Sequence, residues 1–154
     1  MRRIFNFQFS IFNKGFTLIE LLVVLAIISL LISLLLVRLS MVRREARDTR
    51  RVSDLYQVGL ALATYNEKFG QYPGTSGSND WATMKTELES QGFISVVPDD
   101  PGTNLYEYWV SSDNQEYVLN ATLEDPNHPA LDRDVDGSDV LGCNCDGLEY
   151  CLKP

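Results

Sequence analysis

FTLIELLVVLAIISLLISLLLV, residues 16 to 37, is the stretch from which the rest of the chain is read. It has 22 residues, one charge (Glu20) and neither proline nor glycine. At about 1.5 Å per residue a helix of this length crosses the roughly 30 Å of hydrocarbon in a bilayer, so the segment reads as a membrane span. A secretory signal has a shorter apolar core followed by a small-residue cleavage site, and no such site follows Val37. A removable signal would therefore precede the apolar run.

Helical character does not stop at Val37. Residues 38 to 69 contain no proline and one glycine, Gly59. Val52, Leu55, Tyr56, Gly59, Leu62, Ala63 and Phe69 recur at three- and four-residue steps, which predicts one apolar face. Arg43, Arg44, Arg47, Arg50 and Arg51, with Glu45 and Asp48, are expected on the other faces. One helix from about Phe16 to Phe69 would run roughly 80 Å, with Gly70 as its C-cap and Pro73 preventing its resumption.

The remainder predicts a small α+β head. Asn79 or Asp80 can cap a short helix with Trp81, Met84 and Leu88 on one side, ending near Gln91 and Gly92. Leu105 to Val110 and Glu116 to Leu123 read as an antiparallel hairpin around the turn-rich residues 111 to 115. Leu148 to Leu152 is a possible third strand, and the rest of 124 to 154 reads as loop. Such a head has too few strands to bury a large core alone, so the hairpin should pack on the apolar face of residues 52 to 69. The organisation expected is residues 1–15 as a leader, 16–70 as a stem with 16–37 in the membrane, and 71–154 as one head.

Charge separates stem from head. The whole chain carries −8. Residues 71 to 154 hold sixteen Asp and Glu against Lys85, Arg133 and Lys153, a net −13, while residues 16 to 70 are at +2. So acidic a head repels nucleic acid and anionic membrane surfaces, and no nucleic-acid partner is expected. Capture of DNA by the stem arginines is the sharper alternative; a solvated or subunit-facing stripe is the simpler one.

The residues Lys14-Gly15-Phe16-Thr17-Leu18-Ile19-Glu20, followed at once by the apolar run, resemble the processing site of type IV pilins and type II secretion pseudopilins. The resemblance implies that a prepilin peptidase cuts after Gly15, that Phe16 becomes a methylated amino terminus, and that Glu20 serves assembly. Leu62, Tyr65, Phe69-Gly70 and Tyr72-Pro73 are similar to the end of the family's stem helix. Pro98-Asp99-Asp100-Pro101, Gly102 and Tyr106-Glu107-Tyr108 are similar to a stretch of the major pseudopilins. The chain departs from the family in lacking the tryptophan usually found between that DP and its glycine, and in having Ser29 and Val37 where many members loosen the helix. The partners implied are further copies in a homo-oligomeric filament, the peptidase and an inner-membrane assembly platform.

Physical chemistry supports the same role for Glu20. A carboxylate costs on the order of 2.5–3.5 kcal/mol at a bilayer's centre and less near an end, so it asks for a partner. A free amine on Phe16 of a neighbouring copy would neutralise it and fix the axial offset between subunits. The plainer alternative leaves Glu20 among the headgroups beside Lys14.

Topology is contested by the flanking charges. Arg2, Arg3 and Lys14 precede the span and six arginines follow it between Arg38 and Arg51, so a simple count would place the head inside. The processing motif, which must face a cytoplasmic peptidase, and a cysteine-bearing tail suited to an oxidising compartment argue the reverse. The expectation is a single-pass protein of the cytoplasmic membrane, with a cytoplasmic amino terminus and an extracytoplasmic head that joins a filament.

Two features of the tail carry possible chemistry. Asp132-Arg133-Asp134-Val135-Asp136-Gly137-Ser138-Asp139 fits the first half of an EF-hand loop, with oxygens at alternate positions before a glycine. The twelfth position falls on Cys143 rather than Glu, so Asp139, Asp146 or backbone carbonyls would have to complete a calcium site with Asp132, Asp134 and Asp136. The resemblance raises that expectation, since major pseudopilins use calcium in a C-terminal loop; the alternative is a solvated acidic loop. Cys143, Cys145 and Cys151 permit three single disulfides. Cys143 to Cys145 is strained by its single intervening residue, and Cys145 to Cys151 is favoured. No histidine stands nearby to complete a zinc site with them.

His128, the adjacent Asp99 and Asp100, and the Asn120-Ala121-Thr122 sequon read as structural, and no catalytic residue or enzymatic activity is expected. A different class of protein, a signal-anchored calcium-binding or sensor module that never polymerises, would keep its leader.

Overall fold

The computed structural model describes residues 15–77, 79–137 and 140–154, the side chains of residues 34–37 excepted. The expected leader thus lies outside the described residues save for Gly15, as do Ser138 and Asp139. The chain divides into two units, Met1–Leu39 and Ser40–Pro154, with helix α1 (Leu18–Phe69) contributing to both.

In the first unit the apolar side chains from Leu18 to Ile32 are exposed, and one stretch of α1 has the length and mean hydropathy, 3.0, of a membrane span. Its two described serines do not interrupt it. Ser29 Oγ donates to the Leu25 carbonyl and Ser33 Oγ to that of Leu30, each at 2.7 Å, so both hydroxyls are satisfied within the helix.

The second unit is α+β. Beside the later part of α1 it contains α2 (Trp81–Ser90) and three strands, β1 (Glu107–Val110), β2 (Tyr117–Thr122) and β3 (Glu149–Leu152). They form one antiparallel sheet in the order β1-β2-β3. Tyr108 pairs with Leu119 and Val110 with Tyr117, the register of a hairpin, while Asn120 pairs with Cys151 on the other side. Both hairpin strands are shorter than their sequence limits, and the third strand is present.

The core lies where α1 meets the sheet. Leu55, Val58, Leu62 and Tyr65 of α1 pack with Met84 and Leu88 of α2, Tyr108 and Val110 of β1, Tyr117, Leu119 and Ala121 of β2, and Tyr150 of β3. Tyr56, Ala63 and Phe69, which the spacing assigns to the same face, are exposed. A helix drifts at 3.6 residues per turn, so the seam passes instead through Arg51, Asp54, Leu55, Val58, Leu62 and Tyr65.

Of the two capping candidates for α2, Asn79 reaches the helix start and Asp80 does not. The Asp80 side chain makes no cap to α2; its Oδ2 accepts from the Thr75 N–H at 2.6 Å. Asn79 Oδ1 accepts from the N–H groups of Trp81 and Tyr108 and so ties α2 to β1. At the end of α1, Gly70 takes the left-handed φ of 72° and its N–H donates to the Asn66 carbonyl at 2.7 Å. The hairpin tip closes over this point: Asn114 Nδ2 donates to the carbonyls of Tyr72 and Gly74, and Gln115 Nε2 to that of Gly70.

Candidate functional site

Three groupings of polar residues carry functional interest: the start of α1, its arginines, and the acidic tail. At the first, Thr17 directly precedes α1. The Glu20 N–H donates to Thr17 Oγ1 at 3.3 Å, and Glu20 Oε2 accepts from the Thr17 N–H at 3.4 Å. This reciprocal pair is a capping box, and it satisfies two backbone donors that a helix start leaves open. The Thr-x-x-Glu spacing is the sequence signal for it, one that the charge of Glu20 overshadows. Phe16, at 78% exposure, and Gly15 lie just before it. Glu20 is the one charged residue between Phe16 and Val37.

The arginines do not form one outward stripe. Arg43, Arg44 and Arg50 are exposed, but Arg51 is 1% exposed and Asp48 fully buried. Arg51 Nε and Nη2 hold both oxygens of Asp100 at 2.6 and 3.0 Å. Its Nη1 reaches Asp48 Oδ1 at 2.7 Å and Glu124 Oε1 at 2.9 Å. Arg47 grips Glu124 through Nε at 2.7 Å and through Nη2. Asp48 in turn accepts from the backbone N–H groups of Glu124 and Asp125. Two neighbouring turns of α1 thus hold the Pro98–Gly102 loop and the end of β2. The cluster raises the Arg51 pKa, chiefly through its hydrogen bond to Asp100. Glu124 moves the other way: its carboxyl is held at about 2, chiefly by the Arg47 hydrogen bond. Breaking a buried pair typically costs about 3–5 kcal/mol, because a charge is left uncompensated. The sequence alone does not reveal this cluster, because its acidic partners on the loop and after β2 lie 49 to 77 residues away from the arginines.

The cavity beside that loop, about 470 Å³, is lined by Trp81, Asp99, Asp100, Leu105 and Tyr106 among others. Its carboxylates are engaged, Asp100 by Arg51 and Asp99 by Lys85 at 2.8 Å. His128 uses Nδ1 to accept from the Ala130 N–H, a turn contact.

In the tail, Asp132 and Asp136 are exposed and Asp134 is half-buried. Asp134 Oδ2 accepts from the Cys151 N–H at 3.1 Å. Its Oδ1 is buried and, among the described residues, has no hydrogen-bond partner. Burial raises the Asp134 pKa, opposed by that N–H and reinforced by Asp136. Asp139, the fourth residue of the expected calcium set, lies outside the described residues. The loop is fixed to β3 by a disulfide between Cys145 and Cys151, whose Cα atoms are 5.7 Å apart. Cys143 is a buried free thiol, pushed up to about 11 by burial and then by the charge of Glu107.

Comparison with known proteins bears on the first grouping. The family model described as the prokaryotic N-terminal methylation motif matches residues 12–36. The chain is 31% identical over 102 residues to the type II secretion system core protein G of Aeromonas hydrophila, covering 62% of this chain and 71% of that protein. It is 26% identical over 131 residues to the core protein G of Pseudomonas aeruginosa, covering 80% and 92%, and 30% identical over 101 residues to that of Escherichia coli, covering 61% and 70%. No solved structure gives a significant match.

Proposed function

The chain belongs to the type II secretion core protein G family, the major pseudopilins, and on that premise we propose that it is a filament subunit matured by cleavage after Gly15, methylated on Phe16 and assembled through α1. The observation that carries the reading is Glu20, a carboxylate at the start of an exposed apolar helix. Within one chain its hydrogen-bonding partner is Thr17. Cleavage would create an amine on Phe16, and the Glu20 of a neighbouring copy would neutralise it as both leave the lipid. Before assembly the subunit is anchored in the cytoplasmic membrane with its head outside. Prepilin peptidase and an inner-membrane platform are its partners, and the heads form the outer wall of the filament.

Two substitutions separate capping from pairing. Glu20→Gln keeps a capping-box side chain but removes the charge, whereas Glu20→Val removes both. Both variants are expected to be processed and inserted as usual and to form no ordered filaments by electron microscopy. Wild-type filament yield from Glu20→Gln would defeat the role given to the charge.

The tail fits calcium on one observation, the buried Asp134 Oδ1, unpartnered among the described residues, an acceptor to which a hard cation would supply the missing charge. Asp132, Asp134 and Asp136 would hold the ion together with Asp139, and the ion would brace the loop between β2 and β3. Calcium is expected to raise the melting temperature of the disulfide-bonded protein over that in chelator, and Asp134→Asn to abolish the difference. Equal melting temperatures in calcium and chelator would remove the site.

A further inference from the structure

The tail contains a second set of ligand atoms, of different chemistry. The sulfurs of Cys143, Cys145 and Cys151 all lie within 4.8 Å of one another, and each residue is 1% exposed. In a tetrahedral zinc site with Zn–S bonds of about 2.3 Å the sulfurs stand roughly 3.8 Å apart. Cys143 Sγ already lies within 4.8 Å of the other two, which are held together by their disulfide and would have to part on reduction to reach that spacing. A closed site needs a fourth ligand, and the chain's single histidine is in the 125–131 turn. The fold supplies a carboxylate instead: Glu107 Oε2, from β1, lies 4.0 Å from Cys143 Sγ.

We propose that the reduced tail is a binding site for a zinc-class cation, with Cys143, Cys145 and Cys151 as thiolate ligands and Glu107 as the fourth, a state exclusive of the disulfide. The surroundings suit it. Trp109 Nε1 donates to the same Glu107 oxygen at 3.1 Å and fixes the carboxylate's direction. Asn120 Nδ2 lies 3.4 Å from Cys151 Sγ, an N–H···S contact of the kind that steadies a metal thiolate. Val118, Trp109, Val135, Val140 and Leu141 enclose the sulfurs in an apolar shell, which marks the site as structural rather than open to substrate. Its ligands differ from those of the oxygen-rich calcium loop, which adjoins it through Val135 and the Asp134–Cys151 hydrogen bond, and it does not depend on the filament reading.

Access to the site requires reduction. A dithiol gives two electrons and two protons to the Cys145–Cys151 bond and becomes a disulfide itself, leaving three thiols in the tail. Binding then releases three thiol protons to solvent as three metal–sulfur bonds form, and Glu107 joins as a carboxylate.

The test uses the full chain in detergent, reduced with a dithiol, desalted without oxygen and titrated with zinc alone against a chromophoric chelator. Cobalt(II) serves as a spectroscopic stand-in. The reduced wild type is expected to take up one zinc and to show the near-ultraviolet sulfur-to-cobalt band, while the oxidised protein takes up none at this site. Cys143→Ser leaves the disulfide pair untouched, so its oxidised form should melt as the wild type does, while its reduced form binds zinc at least about tenfold more weakly. Glu107→Gln should weaken binding by a similar factor while keeping all three sulfurs. If the reduced wild type binds zinc no better than Cys143→Ser, or if cobalt shows no sulfur band, the site does not exist.

Discussion

Glu124 receives two guanidinium groups, and its protonation is the event by which acid would loosen the head. The Arg47 hydrogen bond, with Arg51 adding to it against the cost of burial, holds the folded carboxyl at about 2 against an ordinary 4.5. Because the folded value is the lower one, the stabilisation is complete above about 4.5 and is lost as pH falls toward 2. Thermal melts of the wild type should therefore drop more steeply between those limits than melts of Glu124→Gln, which has no such proton to take up. Equal slopes would mean that the cluster contributes no linkage. The motif around Gly15 and Phe16 and the lone acid Glu20 are local patterns, legible in the sequence. The roles of Arg47 and Arg51 are not, because nothing local distinguishes a buried arginine from an exposed one, and their partners become neighbours only after folding.

At the scale of elements, strand β2 departs most from its sequence reading. The expected packing puts one face of the hairpin on the helix, and Tyr117, Leu119 and Ala121 do face the core. Val118 and Asn120 are buried as well, because the cysteine-bearing tail covers the opposite face. A tail rich in Asp, Gly and Asn carries no periodic signal that it will form a layer, so this second face is not legible in the sequence. The closeness of α1 to the sheet turns on Gly59, where a Cβ would meet Leu152 Cδ2 and the Tyr117 hydroxyl at 3.3 Å each. Gly59→Leu must push helix and sheet apart and should destabilise the protein by about 1–3 kcal/mol, read as a lower urea midpoint. An unchanged midpoint would mean that the helix–sheet seam is looser than this spacing.

For the whole molecule, charge and hydropathy divide the labour. In the proposed filament the apolar helix start with its single acid would provide attraction and register, while heads of net −13 would repel one another except where the helix brings them together. That division can be read directly from the sequence, since twenty-two residues with one charge and an acidic remainder need no tertiary information. Assembly as proposed depends on the new amino terminus at Phe16, because an α-amine at Phe16 exists only in a cleaved chain. The most direct measurement is the intact mass of the native protein extracted from membranes of its own cells. The expected mass is that of a chain lacking residues 1–15 and heavier by one methyl group at Phe16. A mass that still includes Met1 through Gly15 would rule out assembly through Phe16.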